Sequence, residues 1–219
     1  MAGWNALNEM RRIKMPMSEA DARSLKAGET VLLDGEIVVS AGLPAYQRIA
    51  DYVVQGRSLP LNLNEGSLFH LGSFIRDTSD GPEVLYMNPT TSTRFNALMP
   101  GIIRAFRLHA VGGKGGLDAA GAQAMRESGC VYLSFLGGGC PLLSQALRGV
   151  IEVQWSDLLT HYRLVRLKVE GLGPATVGID AQGGNLYEVI ALQAAERMNG
   201  IRAELARRRS SGRDAAKHE

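Results

Sequence analysis

The chain has only two cysteines, Cys130 and Cys140, and they do not form a CxxC pair. Two thiols cannot make a disulfide framework, and alone they cannot hold an iron–sulfur cluster or a structural zinc. Net charge is nearly absent too: 24 basic against 22 acidic side chains leave +2. No global field therefore draws the protein to nucleic acid or to an anionic membrane, and any anion site must be local. There is no secretory apolar segment and no 18-residue apolar span, so a cytoplasmic location without a membrane partner is expected. Neither GxxxxGK[ST] nor GxGxxG occurs, which leaves a nucleotide site without motif support.

Glycine, in contrast, is abundant. The 26 glycines among 219 residues are roughly 12% of the chain, against about 7% in ordinary proteins. They are clustered rather than spread as in a linker, the pattern of backbone loops that approach a ligand or another chain. The length suits one well-packed domain with appendages. Residues 1–17, which include "MRRIKMPM", lack a clear period and read as an N-terminal extension. Residues 18–209 read as the domain and residues 210–219 as a polar tail.

Strands and helices alternate through this body. "ETVLLDG" and "EIVVS" read as a hairpin turning at Asp34–Gly35, and "LPAYQRIADYVVQG" as an amphipathic helix. "SLFHLG", "EVLYMN", "RLHAV", "CVYLSF", "VIEVQW", "YRLVRLKVE" and "ATVGID" read as strands. "RFNALMPGIIRAF", interrupted near Pro100, reads as a helix, as do "LDAAGAQAMRES", "PLLSQAL" and the stretch from Leu186 to Arg209. The expected class is α/β with mixed strand directions. Cys130 lies in a buried strand pattern and reads as core packing, whereas Cys140 sits in a glycine-rich loop. Arg207 to Arg209 read as the solvated basic end of a helix.

Two loops carry the chemistry. "NPTTSTR", Asn88 to Arg94, sets four consecutive hydroxyls before an arginine. "GGKGG", Gly112 to Gly116, sets Lys114 among four glycines. Each follows a strand and precedes a helix, a context in which ligands gather at the carboxyl ends of strands. Hydroxyls, a guanidinium fork, an ammonium and close backbone amides all suit a carboxylate or phosphate. The first loop is equally a good helix-capping sequence, and the second could be only a tight exposed turn.

The order and spacing of "LKAGETVLLDGEIVVSAG", "NPTTSTRF", "GGKGGLD", "ESGCVYLSFLGGG", "IEVQWSDL" and "VGIDAQGGNLY" resemble the β subunit of two-subunit class I fumarate hydratases and L(+)-tartrate dehydratases. That subunit is equivalent to the C-terminal domain of the one-chain enzymes. The resemblance implies a swivelling β/β/α domain with a mixed sheet. It also implies a hydro-lyase that reversibly adds or removes water on a hydroxy-dicarboxylate or a related acid. The implied [4Fe-4S] cluster is bound by a partner α subunit and not by this chain. Implied partners are that α subunit, a small carboxylic-acid substrate and a second αβ pair, with no nucleic acid and no membrane. By the family motif, Thr90 is the catalytic residue, acting in proton transfer. Thr90, Arg94 and Lys114 are the substrate-binding residues, and the chain itself holds no metal.

One departure stands out. Where the family has "RDAAHKR", this chain has "GLPAYQR", so Gly42 and Leu43 replace an arginine–aspartate pair and Tyr46 replaces a histidine. Losing that guanidinium costs on the order of 1.5–3 kcal/mol of dicarboxylate binding. Arg48, Arg57 or Arg76 could supply a substitute charge, the substrate could differ at one end, or the chain could be a non-catalytic anion-binding or assembly subunit of the same fold. His70 reads as a packed or hydrogen-bonded histidine rather than an acid–base group.

Overall fold

The computed structural model describes residues 10–79 and 81–215, with side chains through Arg209. The chain divides into a body ending at Asn185 and a separate helical unit that begins at Leu186. Most of the expected extension at residues 1–17 and the end of the expected tail lie outside the described residues.

The body's main sheet is mixed, with strand order β1-β2-β3-β6-β7-β9-β8 and a further pairing between β2 and β9. These are β1 (Arg11–Met15), β2 (Thr30–Val39), β3 (Ser67–Phe69), β6 (Ala110–Gly113), β7 (Val131–Phe135), β8 (Leu147–Gln154) and β9 (Leu164–Ile179). The extra pairing closes β2, β3, β6, β7 and β9 into a five-strand ring. Val31, Leu33, Ile37, Val39, Phe69, Val131, Leu133, Leu167, Leu172 and Val177 build its core.

Several expectations change. Residues 11–17 are part of the fold, because β1 pairs in parallel with β2 from Arg11 to Met15 and buries Ile13, Met15 and Met17 in the core. Asp34–Gly35 is not a hairpin turn but lies inside the ten-residue β2. The register against β9 shifts there, Gly35 takes φ +119°, and the Asp34 carboxylate accepts hydrogen bonds from Arg12 and from the Gly171 N–H. The doublet marks a β-bulge in a strand whose pairing with β1 and β9 leaves no room for a reversal. The two strands expected after Tyr162 are one 16-residue strand, β9. It pairs with β8 near its start and β7 near its end while following β2 along its length.

Between Met17 and β2 lies α1 (Glu19–Ser24), with Ser18 as a capping-box N-cap. The hairpin β4 (Leu71–Thr78) and β5 (Gly81–Pro89) forms a separate two-stranded sheet. Three helices carry one apolar face each: α2 (Leu43–Val54) buries Ala45, Tyr46 and Ile49, α3 (Met99–Phe106) buries Met99, Ile102 and Ile103, and α4 (Ala119–Ser128) buries Gly121, Ala124 and Met125. Pro100 sits in the first turn of α3, where its missing N–H has no partner to lose, so it starts the helix rather than interrupting it. A short helix α5 (Cys140–Gln145) precedes β8. The second unit is the single helix α6 (Leu186–Ala215).

β2, β3, β6 and β7 run parallel, so their carboxyl ends share one rim of the ring. The segments leaving that rim begin at Ser40, His70, Lys114 and Leu136. This is the end of an α/β sheet at which ligands are held.

Candidate active site

The two glycine- and hydroxyl-rich loops meet at this rim by backbone hydrogen bonds. The His70 N–H donates to the Gly112 carbonyl at 2.6 Å, and the Thr90 N–H donates to the His70 carbonyl at 2.8 Å. The Lys114 N–H donates to the Thr90 carbonyl at 3.0 Å, and the Ser92 N–H donates to the Lys114 carbonyl at 2.9 Å. Thr91 and Lys114 thus form an isolated parallel bridge. "NPTTSTR" arrives by a route the sequence did not show: it follows β5, the return strand of the separate hairpin, rather than a strand of the ring.

The glycines of "GGKGG" serve this junction. A Cβ on Gly113 would lie 2.9 Å from His70 Cβ and 3.0 Å from the Thr90 carbonyl, and would overlap Ser92 Oγ. Gly115 and Gly116 take φ +85° and +76°, conformations in which other residues are strained. They turn the chain into α4, whose N-cap Asp118 accepts from the Gly121 N–H at 3.0 Å.

Beneath the junction runs a buried polar chain. His70 Nδ1 is 2.7 Å from Ser92 Oγ, Ser92 Oγ is 2.7 Å from the Tyr132 hydroxyl, and the Gly116 N–H donates to that hydroxyl at 3.2 Å. All three side chains are fully buried. His70 Nε2 faces Met99 Sδ at 3.4 Å, a contact that favours N–H on Nε2 because thioether sulfur is only an acceptor. His70 Nδ1 then accepts from Ser92, Ser92 accepts from Tyr132, and Tyr132 accepts from Gly116. Burial lowers the His70 pKa to about 3, so the ring is neutral. It packs 4.7 Å from Phe95 and 5.2 Å from Tyr46, ring centre to ring centre. These positions are those of a structural histidine, not a general acid or base.

The junction also carries two cationic side chains. Arg94 is exposed and Lys114 half-buried. Neither side chain makes an ion pair or hydrogen bond among the described residues, and the Thr90 and Thr91 hydroxyls are likewise unpartnered there. Every other described arginine of the body has at least one side-chain hydrogen bond or ion pair. Lys114 leans toward the loop after β7, since a Cβ on Gly137 would lie 3.6 Å from Lys114 Cδ. Two cations and two hydroxyls that are unpartnered among the described residues, carried on loops locked together, are donors of the kind that suit an anion.

The position at which the family pattern has arginine is closed. A Cβ on Gly42 would overlap the ring of Tyr162. Tyr162 belongs to a 3-10 turn, Thr160–Tyr162. That turn is tied to the end of β2, with the Ala41 N–H donating to the His161 carbonyl at 3.0 Å and Ser40 Oγ to the Tyr162 carbonyl at 3.1 Å. The three candidate substitutes are all engaged. Arg48 makes a two-pronged pair with Asp157 at 3.0 and 2.7 Å, Arg57 lies 4.2 Å over the Tyr52 ring, and Arg76 pairs with Glu83 at 2.6 Å. Tyr46, in the histidine's place, stacks on Phe95 at 4.0 Å and donates to the Ser40 carbonyl at 3.1 Å.

Residues 3–190 match the model of the family described as Fumarase C-terminus. The chain belongs to that family. Among related proteins, a provisionally named L(+)-tartrate dehydratase subunit beta from Methanocaldococcus jannaschii is 29% identical over 186 residues, 84% of this chain and 95% of the relative. The L(+)-tartrate dehydratase subunit beta of Escherichia coli K12 is 26% identical over 190 residues, 87% of this chain and 92% of the relative. A provisionally named class I fumarate hydratase from Geobacillus stearothermophilus is 28% identical over 188 residues, 85% of this chain but only 35% of the relative. The similarity to this chain thus spans nearly the whole of two related subunits and one part of a longer related chain.

Among the described residues, no group of three or more His, Cys, Asp or Glu side chains is placed to hold a metal ion. Cys130 is buried, and burial pushes its thiol well above the ordinary value. The described residues of this chain do not fit an iron–sulfur cluster. No described helix is long and apolar enough to cross a membrane.

Sequence reasoning singled out Thr90, Arg94 and Lys114 and missed what supports them. Ser92 read as one of four capping hydroxyls and Tyr132 as an apolar strand residue. A period-two reading of "CVYLSF" offered a weak signal for Tyr132, whose hydroxyl needs a partner wherever it is buried.

Proposed function

We propose that this protein is the β subunit of an iron–sulfur-dependent hydro-lyase that reversibly adds or removes water on a hydroxy-dicarboxylate or a related acid. The observation that carries the reading is the pair Arg94 and Lys114, two unpartnered cations on loops joined by backbone hydrogen bonds at the carboxyl rim. In this reading they hold a substrate carboxylate, Arg94 through its planar fork and Lys114 as a compact charge. Thr90, with its main chain fixed on both sides and its hydroxyl free, takes part in moving the proton at the reacting carbon. The cluster belongs to an α subunit that completes the site, and two αβ pairs form the assembly. Support comes from the family membership and from the relatives named as tartrate dehydratase β subunits and a class I fumarate hydratase.

The test is anaerobic co-expression with the α subunit, followed by a screen of hydroxy acids against their dehydrated products. Oxygen-sensitive turnover that falls in Thr90→Ala, Arg94→Ala and Lys114→Ala supports the proposal. Turnover unchanged in all three removes the proposed roles, and failure of any α chain to associate removes the reading.

The closed position at Gly42 favours one second reading, a divergent anion-binding or assembly subunit that keeps the grip without turnover. An αβ complex with an intact cluster that binds hydroxy acids but converts none of them would select it.

A further inference from the structure

The helix α6 extends past the part of the chain that matches the family model, which ends at residue 190. Its 30 residues span about 45 Å at 1.5 Å per residue. From Glu188 to Arg209 every residue except Glu204 is exposed. Helices in water draw most of their stability from burying one face, and Asn199 and Gly200 at the middle of this one weaken it further. Ile190, Met198, Ile201 and Leu205 are 61%, 42%, 52% and 47% exposed. A helix of this length with bare large apolar side chains calls for a partner along its face.

The sequence of that face says which partner. Ala191, Ala194, Met198, Ile201 and Leu205 follow one another at alternating steps of three and four, the seam of a two-helix coil. The seam is graded: small residues fill its first half and large ones its second. Val189, Ile190 and Leu192 lie off it.

A parallel copy would set alanine against alanine and leave gaps. An antiparallel copy centred on Met198 sets Ala191 level with Leu205 of the second copy and Ala194 within one residue of its Ile201, so that the layers on either side of the central Met198 pair hold one small and one large side chain. Charge agrees with the same direction. Glu188 flanks the seam near its start, and beyond the middle Arg202 and Arg207 to Arg209 outnumber Glu204, which pairs with Arg207 and Arg208. Antiparallel pairing sets Glu188 beside Arg209 of the second copy, whereas parallel pairing would set the arginine run against itself.

We infer that α6 is a self-association helix whose occupant is α6 of a second copy of this chain, packed antiparallel about Met198. The inference does not depend on the proposed chemistry. It gives the protein a two-fold contact through residues that lie mostly beyond the family match, which ends at residue 190.

Sedimentation velocity of the full chain over a range of concentrations tests the contact. A monomer–dimer equilibrium is expected, weakened by at least about tenfold in Ile201→Glu and in Met198→Glu. Because both side chains are exposed, the body stays folded, which near-ultraviolet circular dichroism checks. Oxidative cross-linking in a Cys140→Ser background tests the direction. Met198→Cys should link to itself, Leu205→Cys alone should not, and Leu205→Cys combined with Ala191→Cys should.

A monomer at every concentration, a dimer indifferent to both glutamate substitutions, or self-linking of Leu205→Cys would each overturn the inference. Loss of α-subunit capture in Ile201→Glu from a chain that is monomeric alone would assign the face to the α partner and overturn it as well. None of these outcomes requires turnover, so they are separable from a failure of the proposed activity.

Discussion

Tyr162 lies over Gly42 so closely that a Cβ on the glycine would overlap the ring. Arginine at that position requires the Tyr162 ring to move. Gly42→Arg should destabilise the protein by about 1–3 kcal/mol, the cost of overpacking a filled site. Combining it with Tyr162→Ala should recover part of that loss, because residues in contact do not behave additively. Chemical denaturation of the two single variants and the double variant measures the coupling, and strictly additive losses would show that the overlap is not what excludes a side chain.

Arg94 and Lys114 have no protein partner among the described residues, so removing either should leave stability almost untouched. Arg94→Ala and Lys114→Ala are each expected to lower kcat/KM in the αβ complex by roughly ten- to a hundredfold, the loss of a charge-assisted hydrogen bond. Melting temperatures should stay within about 1–2 °C of the parent, as for surface substitutions. A large drop in melting temperature with unchanged kinetics would assign the cations a structural role.

Ser92 stands between His70 and Tyr132 in the buried chain. Ser92→Ala leaves the His70 Nδ1 lone pair without a donor inside the core and should cost about 1–3 kcal/mol. Because Ser92 Oγ also bonds the Tyr132 hydroxyl that accepts from the Gly116 N–H of the lysine loop, KM for the carboxylate substrate should rise as well. Urea unfolding with steady-state kinetics gives both readings, and full stability in Ser92→Ala would mean that the chain of bonds is not what holds the junction.

His70 also sets a pH dependence. Its folded pKa of about 3 lies below the ordinary 6.5, so below that ordinary value the unfolded chain binds a proton that the folded chain refuses. The associated stability is complete above pH 6.5, is lost as pH falls toward 3, and amounts to a few kcal/mol at most. His70→Gln removes this term. Between pH 6.5 and 4 the stability of the parent should fall more steeply than that of His70→Gln, by up to about 1.4 kcal/mol per pH unit. Parallel slopes in urea titrations at several pH values would contradict it.

The residues of the proposed grip were more legible in the sequence than the packing beneath them. Thr90, Arg94 and Lys114 stand in short contiguous runs whose residue types announce anion chemistry, and α2, α3 and α4 show their apolar faces at helical spacing. Asp34–Gly35 misled because the pair has the composition of a turn, and only strands on both sides of β2 reveal a bulge. The β1 strand was hidden by its brevity and by the basic residues that alternate with Ile13 and Met15. The Gly42–Tyr162 contact joins residues remote in the chain, and no local pattern reports which aromatic ring will fill the space a glycine leaves.

The ring closure also governs aggregation. β2, β3, β6, β7 and β9 bond to neighbours around the circuit, so the exposed borders of the main sheet are β1 and β8. β1 carries Arg11, Arg12 and Lys14 along its five residues, and β8 carries Arg148 and Glu152. Charges on border strands repel a stray strand that would otherwise add to the ladder. The same charges oppose fibril-like growth at both borders, and Arg12→Val with Lys14→Val would remove that opposition at the first of them.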